Sequence, residues 1–324
     1  MNGEELGIKR VCVYGIGGVG GVFGGKMANV LNSVEPNCEI YFVARGEHLQ
    51  KIRKDGLILE SAQYGTLICK PVQVTDNFAE LPSMDLILMC VKSYDLDDAI
   101  RHISGYINEH TIIIPLLNGV DIYQRIRKTL SKGIVLPGCV YVGAYIAEPG
   151  KVNHSGGDLL IFGKDPRYPE IVPVAVIGLF KDTNINFRWF DNPYPAIWEK
   201  YLFIAAFGLV TAYSGKSIGE VMDDNELRDI VGRIMYEIYA IAIQEGVQLR
   251  DTIVTDSLEK AYQFHELRTS LQRDVEQKKQ HNESDLFGGS IIRLGQQHGI
   301  PTPVTEMVYQ YIQNFCNNPA PEYF

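Results

Sequence analysis

Residues 10–31 read RVCVYGIGGVGGVFGGKMANVL, and the order of character along that stretch decides the fold. Arg10 to Tyr14 is a short apolar run with β-branched residues, the composition of a buried strand. Gly15-Ile16-Gly17-Gly18-Val19-Gly20 follows at once, and an apparent helix, Gly21 to Leu31, follows that. Strand, GxGxxG and helix in direct succession are the turn that binds a dinucleotide. In such a turn Gly15 permits the tight bend. Gly17 lets the backbone approach a pyrophosphate, and Gly20 lets helix pack closely on strand. The helix start then offers free N–H groups and a positive dipole end to the phosphates. The competing reading is a glycine-rich turn that holds no ligand; the flanking strand and helix weigh against it.

Outward from this turn, strand and helix signals alternate. Glu39 to Ala44, Asp85 to Val91 and Thr111 to Leu117 are further apolar runs, each too short for a helix. Helix-compatible stretches separate most of them, which predicts βαβ units and a mainly parallel sheet covered on both faces. Leu57 to Glu60 and Thr66 to Thr75 read as added strands. Gly133 to Gly163, broken at Pro149-Gly150 and Gly156-Gly157, reads as antiparallel hairpins finishing the sheet. A helix from about Glu170 to Lys181 and a strand near Asn186 to Phe190 follow. Asp191-Asn192-Pro193 is a turn signal and the expected boundary between domains 1–192 and 193–324. Beyond it only helical patterns occur. Ala196 to Thr211 is apolar nearly all round and predicts a buried helix. Glu226 to Glu245, Thr252 to Gln280, and Asp285 to His298 closed by Gly299 are the others. The fold class is therefore α/β: a Rossmann-type doubly wound N-terminal domain followed by an all-helical C-terminal domain.

The chain's 324 residues suit two domains. Its net charge of −9, with no basic face (Lys278 and Lys279 are the densest basic cluster), argues against a nucleic-acid partner. The longest apolar run, Tyr201 to Val210, is about half the ~20 residues a spanning helix needs, and Met1 to Arg10 is too polar for a signal peptide. Six cysteines without a CxxC pair fit a reduced, cytoplasmic setting. Seven histidines without HxxxH or HExxH spacing predict no metal site.

The second strand bears on the cofactor. An NAD enzyme usually ends that strand with Asp or Glu, which accepts hydrogen bonds from the ribose. Here it ends in Ala44-Arg45, and a guanidinium suits a 2′-phosphate, so NADPH is expected. The alternative is a surface arginine at a strand end. Lys92 and Asn118 each end a later strand, where ligands bind in open α/β sheets, and both are candidates for cofactor or substrate contact. Their plain alternatives are a solvated loop lysine and an ordinary Asn-Gly turn.

Taken in order, GIGGVG, FVARGEHL with KDGLIL, VKSYD, LLNG, WEK, and NESD followed by two glycines resemble the ketopantoate reductase family over nearly the whole chain. The resemblance implies a Rossmann-type domain joined to a helical one, with the active site in the cleft between. It implies reduction of 2-dehydropantoate to pantoate with NADPH, a step of pantothenate biosynthesis toward coenzyme A. The family's lysine lies in a Trp-x-Lys motif, matched by Trp198-Glu199-Lys200. Independently, Lys200 opens the apolar run YLFIAAFGLV, and burial of an ammonium favours a proton donor near neutral pH. The alternative is a lysine that snorkels out of a helix end. Glu283, in Asn282-Glu283-Ser284-Asp285, matches the family glutamate that bonds the substrate hydroxyl. Alone it would read as a helix-start acid. Ser270 corresponds to the serine that binds the substrate carboxylate, with Thr269 as alternative because the spacing to Glu283 is one residue longer than is usual in the family.

One departure stands out. The family commonly carries asparagines four and eight residues after the lysine, on one helix face. Here those positions hold Ile204 and Gly208, with Thr211 as a candidate replacement hydroxyl. The expected partners are a small 2-oxo acid and, as assembly, a second copy in a homodimer. The rival readings are a reductase of a more apolar 2-oxo acid or imine, and a non-catalytic NADPH-binding sensor.

Overall fold

A computed structural model describes residues 7–31 and 38–317; part of the N-terminal stretch Met1 to Arg10 lies outside the described residues. The chain forms two compact units. One comprises Met1–Asn118 with Ile122–Pro193, and the other Gly119–Asp121 with Tyr194–Phe324.

The first unit contains β1 (Arg10–Tyr14), α1 (Gly18–Leu31), β2 (Glu39–Val43), α2 (Gly46–Asp55), β3 (Leu57–Ser61), β4 (Gly65–Cys69), β5 (Gln73–Thr75) and β6 (Leu86–Met89). It continues with α3 (Leu96–Ile103), β7 (Ile112–Pro115), α4 (Ile122–Thr129), β8 (Ile134–Val135), β9 (Gly138–Glu148), β10 (Lys151–Gly163), α5 (Val174–Asp182) and β11 (Asn186–Phe190). Six strands form a parallel sheet in the order β5-β2-β1-β6-β7-β8. The strand order reverses between β1 and β6, the crevice position where open α/β sheets bind ligands. β6 and β7 are buried at every residue, as strands covered on both faces must be.

Within Gly133 to Gly163 only β8 joins that sheet, as its edge strand and parallel to β7. β9 and β10 do form the hairpin expected at Pro149-Gly150, but they belong to a second sheet with β3, β4 and β11. β10 is 13 residues long and shifts register around Gly156-Gly157 rather than turning there. Its first part pairs with β3 and its last part with β11. Thr66 to Thr75 is likewise two strands, β4 and β5, in different sheets. Pro71 lies in the gap, where it cannot donate to a ladder. The helix expected from Glu170 begins only at Val174, because Pro173 disfavours helical backbone at the residue before it.

The second unit is helical: α6 (Tyr194–Ser214), α7 (Ile218–Asp223), α8 (Asn225–Gln244), α9 (Ile253–Ala261), α10 (Ser270–Glu276), a π-helical turn (Asp285–Gly289), α11 (Ser290–His298) and α12 (Pro303–Asn317). α6 is long and apolar enough to cross a bilayer by length and composition, yet 72% of that window is buried in the protein. It is the core helix against which α8, α10 and α12 pack. Thr252 to Gln280 is not one helix. It breaks after Phe264, and Thr269 starts α10 afresh by accepting a hydrogen bond from the Gln272 N–H. Gly299 closes α11 in the left-handed conformation, φ 67°. None of the six cysteines forms a disulfide, and all are buried.

Candidate active site

The glycine turn is built as its residue types require. Gly15 takes φ 98°, which side-chain-bearing residues rarely adopt. A Cβ at Gly20 would sit 2.1 Å from the Gly15 carbonyl oxygen, so only glycine lets α1 approach β1 this closely. Around Gly17, by contrast, no atom beyond its own chain neighbours lies within 4 Å of where a Cβ would point. That opening is where a pyrophosphate would reach the backbone. Ile16 is buried and Val19 half-buried, so the loop is anchored by its apolar members. Gly18, also of the glycine loop, has a packing role besides: its Cβ would meet the Ala144 carbonyl oxygen at 2.3 Å, so a glycine here seats α1 on the second sheet.

Arg45, Lys92 and Asn118 stand at the carboxyl ends of β2, β6 and β7. Arg45 precedes α2 with its side chain 74% exposed and pairs with Asp95 at 2.7 Å. Lys92 is exposed at the start of the turn Ser93–Asp95, and Asn118 is half-buried before Gly119 (φ 121°). A further residue of this corner, unassigned from sequence, is His48 of α2. Its Nδ1 accepts the Gly150 N–H at 2.9 Å, so the neutral ring carries its proton on Nε2. Burial lowers its pKa, with the Ile16 backbone working the other way.

In the helical unit Lys200 is 7% exposed and Glu283 6%. α6 begins before the expected Ala196, which puts Lys200 in its second turn rather than at its start. The fully buried Tyr201 hydroxyl donates to the Leu286 carbonyl at 2.6 Å. Phe287 N–H donates to the Glu283 carbonyl at 3.1 Å. These bonds fasten the turn carrying Glu283 to the helix carrying Lys200. Burial, then the nearby Asp121, drives the Tyr201 pKa well above its usual value, so the hydroxyl stays protonated and keeps donating. π-Helical turns are rare and recur at functional sites; this one begins two residues after Glu283.

Gly208 faces Phe287. A Cβ there would lie 3.3 and 3.5 Å from two ring carbons and 4.0 Å from Leu271 Cδ2. The space beside the second missing amide is thus taken by an aromatic ring and a leucine. Ile204, one turn nearer Lys200, is half-buried. Thr211 does not supply the replacement hydroxyl. It is fully buried and held by the Phe207 carbonyl at 2.7 Å and the Thr269 hydroxyl at 2.8 Å. Thr269 is committed to that bond and to capping α10, whereas Ser270 is exposed at the first position of α10. Of the two serine-position candidates, Ser270 has the accessible side chain. Among the described residues no three His, Cys, Asp or Glu side chains gather as a metal site.

Comparison with known proteins fits this geometry. Residues 11–167 match the family described as ketopantoate reductase PanE/ApbA, and residues 193–315 match its C-terminal domain. The chain belongs to the ketopantoate reductase family. It is 26% identical over 313 residues to the uncharacterized oxidoreductase YkpB of Bacillus subtilis, covering 94% of this chain and 98% of that one. It is 25% identical over 295 residues to a 2-dehydropantoate 2-reductase of Halobacterium salinarum, covering 91% and 95%. A PanE/ApbA family ketopantoate reductase from Ralstonia eutropha superposes with a TM-score of 0.85 at 25% identity, covering 95% and 98%. As a ketopantoate reductase family member the chain is a nicotinamide-nucleotide-dependent oxidoreductase with a parallel-sheet α/β domain and a helical domain.

Proposed function

We propose that this chain uses NADPH to reduce a branched 2-oxo acid of ketopantoate's class, one whose far end is apolar. The observation that carries the substrate reading is the Phe287 ring, 3.3 Å from the position a Gly208 Cβ would take. Where family members commonly present two amides, this helix face presents Ile204 and a glycine backed by Phe287 and Leu271. A buried polar group without a partner costs about 1–3 kcal/mol. The distal hydroxyl of ketopantoate would meet that penalty; 2-oxoisovalerate, which carries a hydrogen in place of the hydroxymethyl group, would not.

The cofactor reading rests on Gly15, Gly17 and the α1 N-terminus for the pyrophosphate and on Arg45 for a 2′-phosphate. Lys92 and Asn118 complete the nucleotide corner. When bound there, the nicotinamide would supply a hydride for the C2 carbonyl carbon. Lys200 then has one task. Its ammonium hydrogen-bonds the carbonyl oxygen and gives up a proton as that oxygen becomes an alcohol. Glu283 accepts a hydrogen bond from the new hydroxyl and fixes its orientation, and Ser270 donates to the substrate carboxylate. A sensor would need neither a buried lysine nor a buried glutamate on joined segments, so their presence favours catalysis.

Purified protein with NADPH and a panel of 2-oxo acids tests the proposal by loss of the reduced-nicotinamide absorbance. Turnover of 2-oxoisovalerate at least as efficient as that of ketopantoate is expected. No turnover of any 2-oxo acid, with NADPH bound, would leave the sensor reading standing.

A further inference from the structure

The sheet order places β2 and β6 on either side of β1, and the ends of these three strands make up the nucleotide corner. Arg45 leaves the end of β2, and Asp95 closes the short helical turn after β6. The two side chains meet at 2.7 Å. Both lie close enough to Tyr14, the last residue of β1, to act on its phenol, Arg45 lowering its pKa and Asp95 raising it, behind the larger effect of burial. The ion pair therefore spans the end of β1, beside the glycine turn.

The two members of the pair are not alike. Asp95 is 29% exposed and Arg45 74%, so the carboxylate is the better anchored end and the guanidinium the freer one. The backbone N–H of Asp95 is fixed to the Lys92 carbonyl at 3.0 Å, while its side chain caps no helix. A nicotinamide enzyme that carries an acid at the end of its second strand uses it to accept ribose hydroxyls and to repel a 2′-phosphate. This chain has an arginine in that place, yet Asp95 returns a carboxylate to the same corner from another strand.

We propose that Asp95 sets the margin by which this protein prefers the phosphorylated nucleotide, by competing for Arg45 and standing beside the 2′-phosphate subsite. The proposal rests on the reading of Arg45 as the phosphate-binding residue. A dianionic phosphate approaching Arg45 must share the guanidinium with Asp95 or displace it, and meets a like charge at short range. An unphosphorylated ribose carries no such charge, and its hydroxyls can donate to a carboxylate. Asp95 thus narrows the gap between the two nucleotides from the NADPH side.

The test compares dissociation constants for NADPH and NADH in the wild type, Asp95→Asn and Arg45→Ala. Asparagine keeps the shape and removes the charge, and no capping bond is lost. Asp95→Asn should tighten NADPH by about two- to fivefold, the size expected of one exposed charge pair, and change NADH by a smaller factor. In the Arg45→Ala background the gain for NADPH should shrink, since the competed-for group is gone. Unchanged or weakened NADPH binding in Asp95→Asn would overturn the proposal; weakened binding would make Asp95 a support that holds Arg45 in place. An Arg45→Ala protein with the wild-type NADPH-to-NADH ratio would instead overturn the underlying reading of Arg45, so the two failures are distinguishable.

Discussion

Tyr201→Phe removes one oxygen atom and isolates the bond that fastens the Glu283 turn to the Lys200 helix. The hydroxyl is buried, donates to Leu286 at 2.6 Å, and belongs to a side chain 1% exposed. Its loss leaves a buried carbonyl short of a partner without opening a large cavity. The ring contacts with Trp198 and Phe287 survive, because phenylalanine keeps the ring. The expected cost is about 1–3 kcal/mol, the range for a buried group left unsatisfied. Of the two tryptophans, Trp198 lies in the helical unit and Trp189 in the other, so a Trp189→Phe background makes fluorescence report on the helical unit alone. Urea unfolding followed by Trp198 gives the stability change, and kcat with a 2-oxo acid gives the functional one. Because the bond positions the turn that carries Glu283, kcat should fall while NADPH affinity stays within about twofold, as expected when an interaction specific to the chemical step is lost. Wild-type stability and wild-type kcat together would refute the idea that this bond holds the two segments in register.

Three further outcomes follow from the same geometry. Ile204→Asn should raise kcat/KM for ketopantoate relative to 2-oxoisovalerate by roughly five- to thirtyfold, through one restored hydrogen bond of about 1–2 kcal/mol. A wild-type preference for ketopantoate of ~10³-fold or more would already rule out a pocket depleted of polar partners. Arg45→Ala should weaken NADPH by about 1–2 kcal/mol more than NADH, since charge-assisted bonds are strong but this side chain is well solvated. Equal losses for both nucleotides would contradict it. His48 has its pKa lowered mainly by burial, so its neutral ring contributes stability above the ordinary histidine value of 6.5 that is lost as pH falls through the folded-state value. Denaturation midpoints should therefore drop more between pH 7.5 and 5 in the wild type than in His48→Asn; parallel curves would exclude His48 as the cause.

The parts of the fold that sequence exposed are those whose signal is local. β6 and β7 are buried on both faces and so read as unbroken apolar runs, and the GxGxxG turn announces itself between a strand and a helix. The second sheet was hidden because β4 is largely exposed and β9 is exposed toward its end, while β10 changes partner midway along its length. Nothing in the residues of β10 marks which strand each half will meet. The break before α10 left one local trace, the capping Thr269, inside a stretch whose helical periodicity otherwise runs on. At the candidate site, Lys200, Glu283 and the glycines were legible as motifs. Tyr201 and Leu286 are 85 residues apart, and neither residue type signals a bond to the other. The Phe287 ring beside Gly208 was equally invisible, since the absence of a side chain at one position says nothing about what fills the space. Thr211 shows the converse: its spacing suggested a substrate contact, but its hydroxyl is already bonded within the core.

In the proposed mechanism Lys200 gives the proton that turns the reduced carbonyl into an alcohol. Lys200→Ala, measured for both turnover and NADPH dissociation constant, tests it most directly. In this variant kcat should fall by ~10²–10⁴-fold, the usual contribution of a positioned general acid, while NADPH binding stays within about twofold. Turnover at the wild-type rate in the folded variant would make Lys200 a structural lysine and contradict the mechanism.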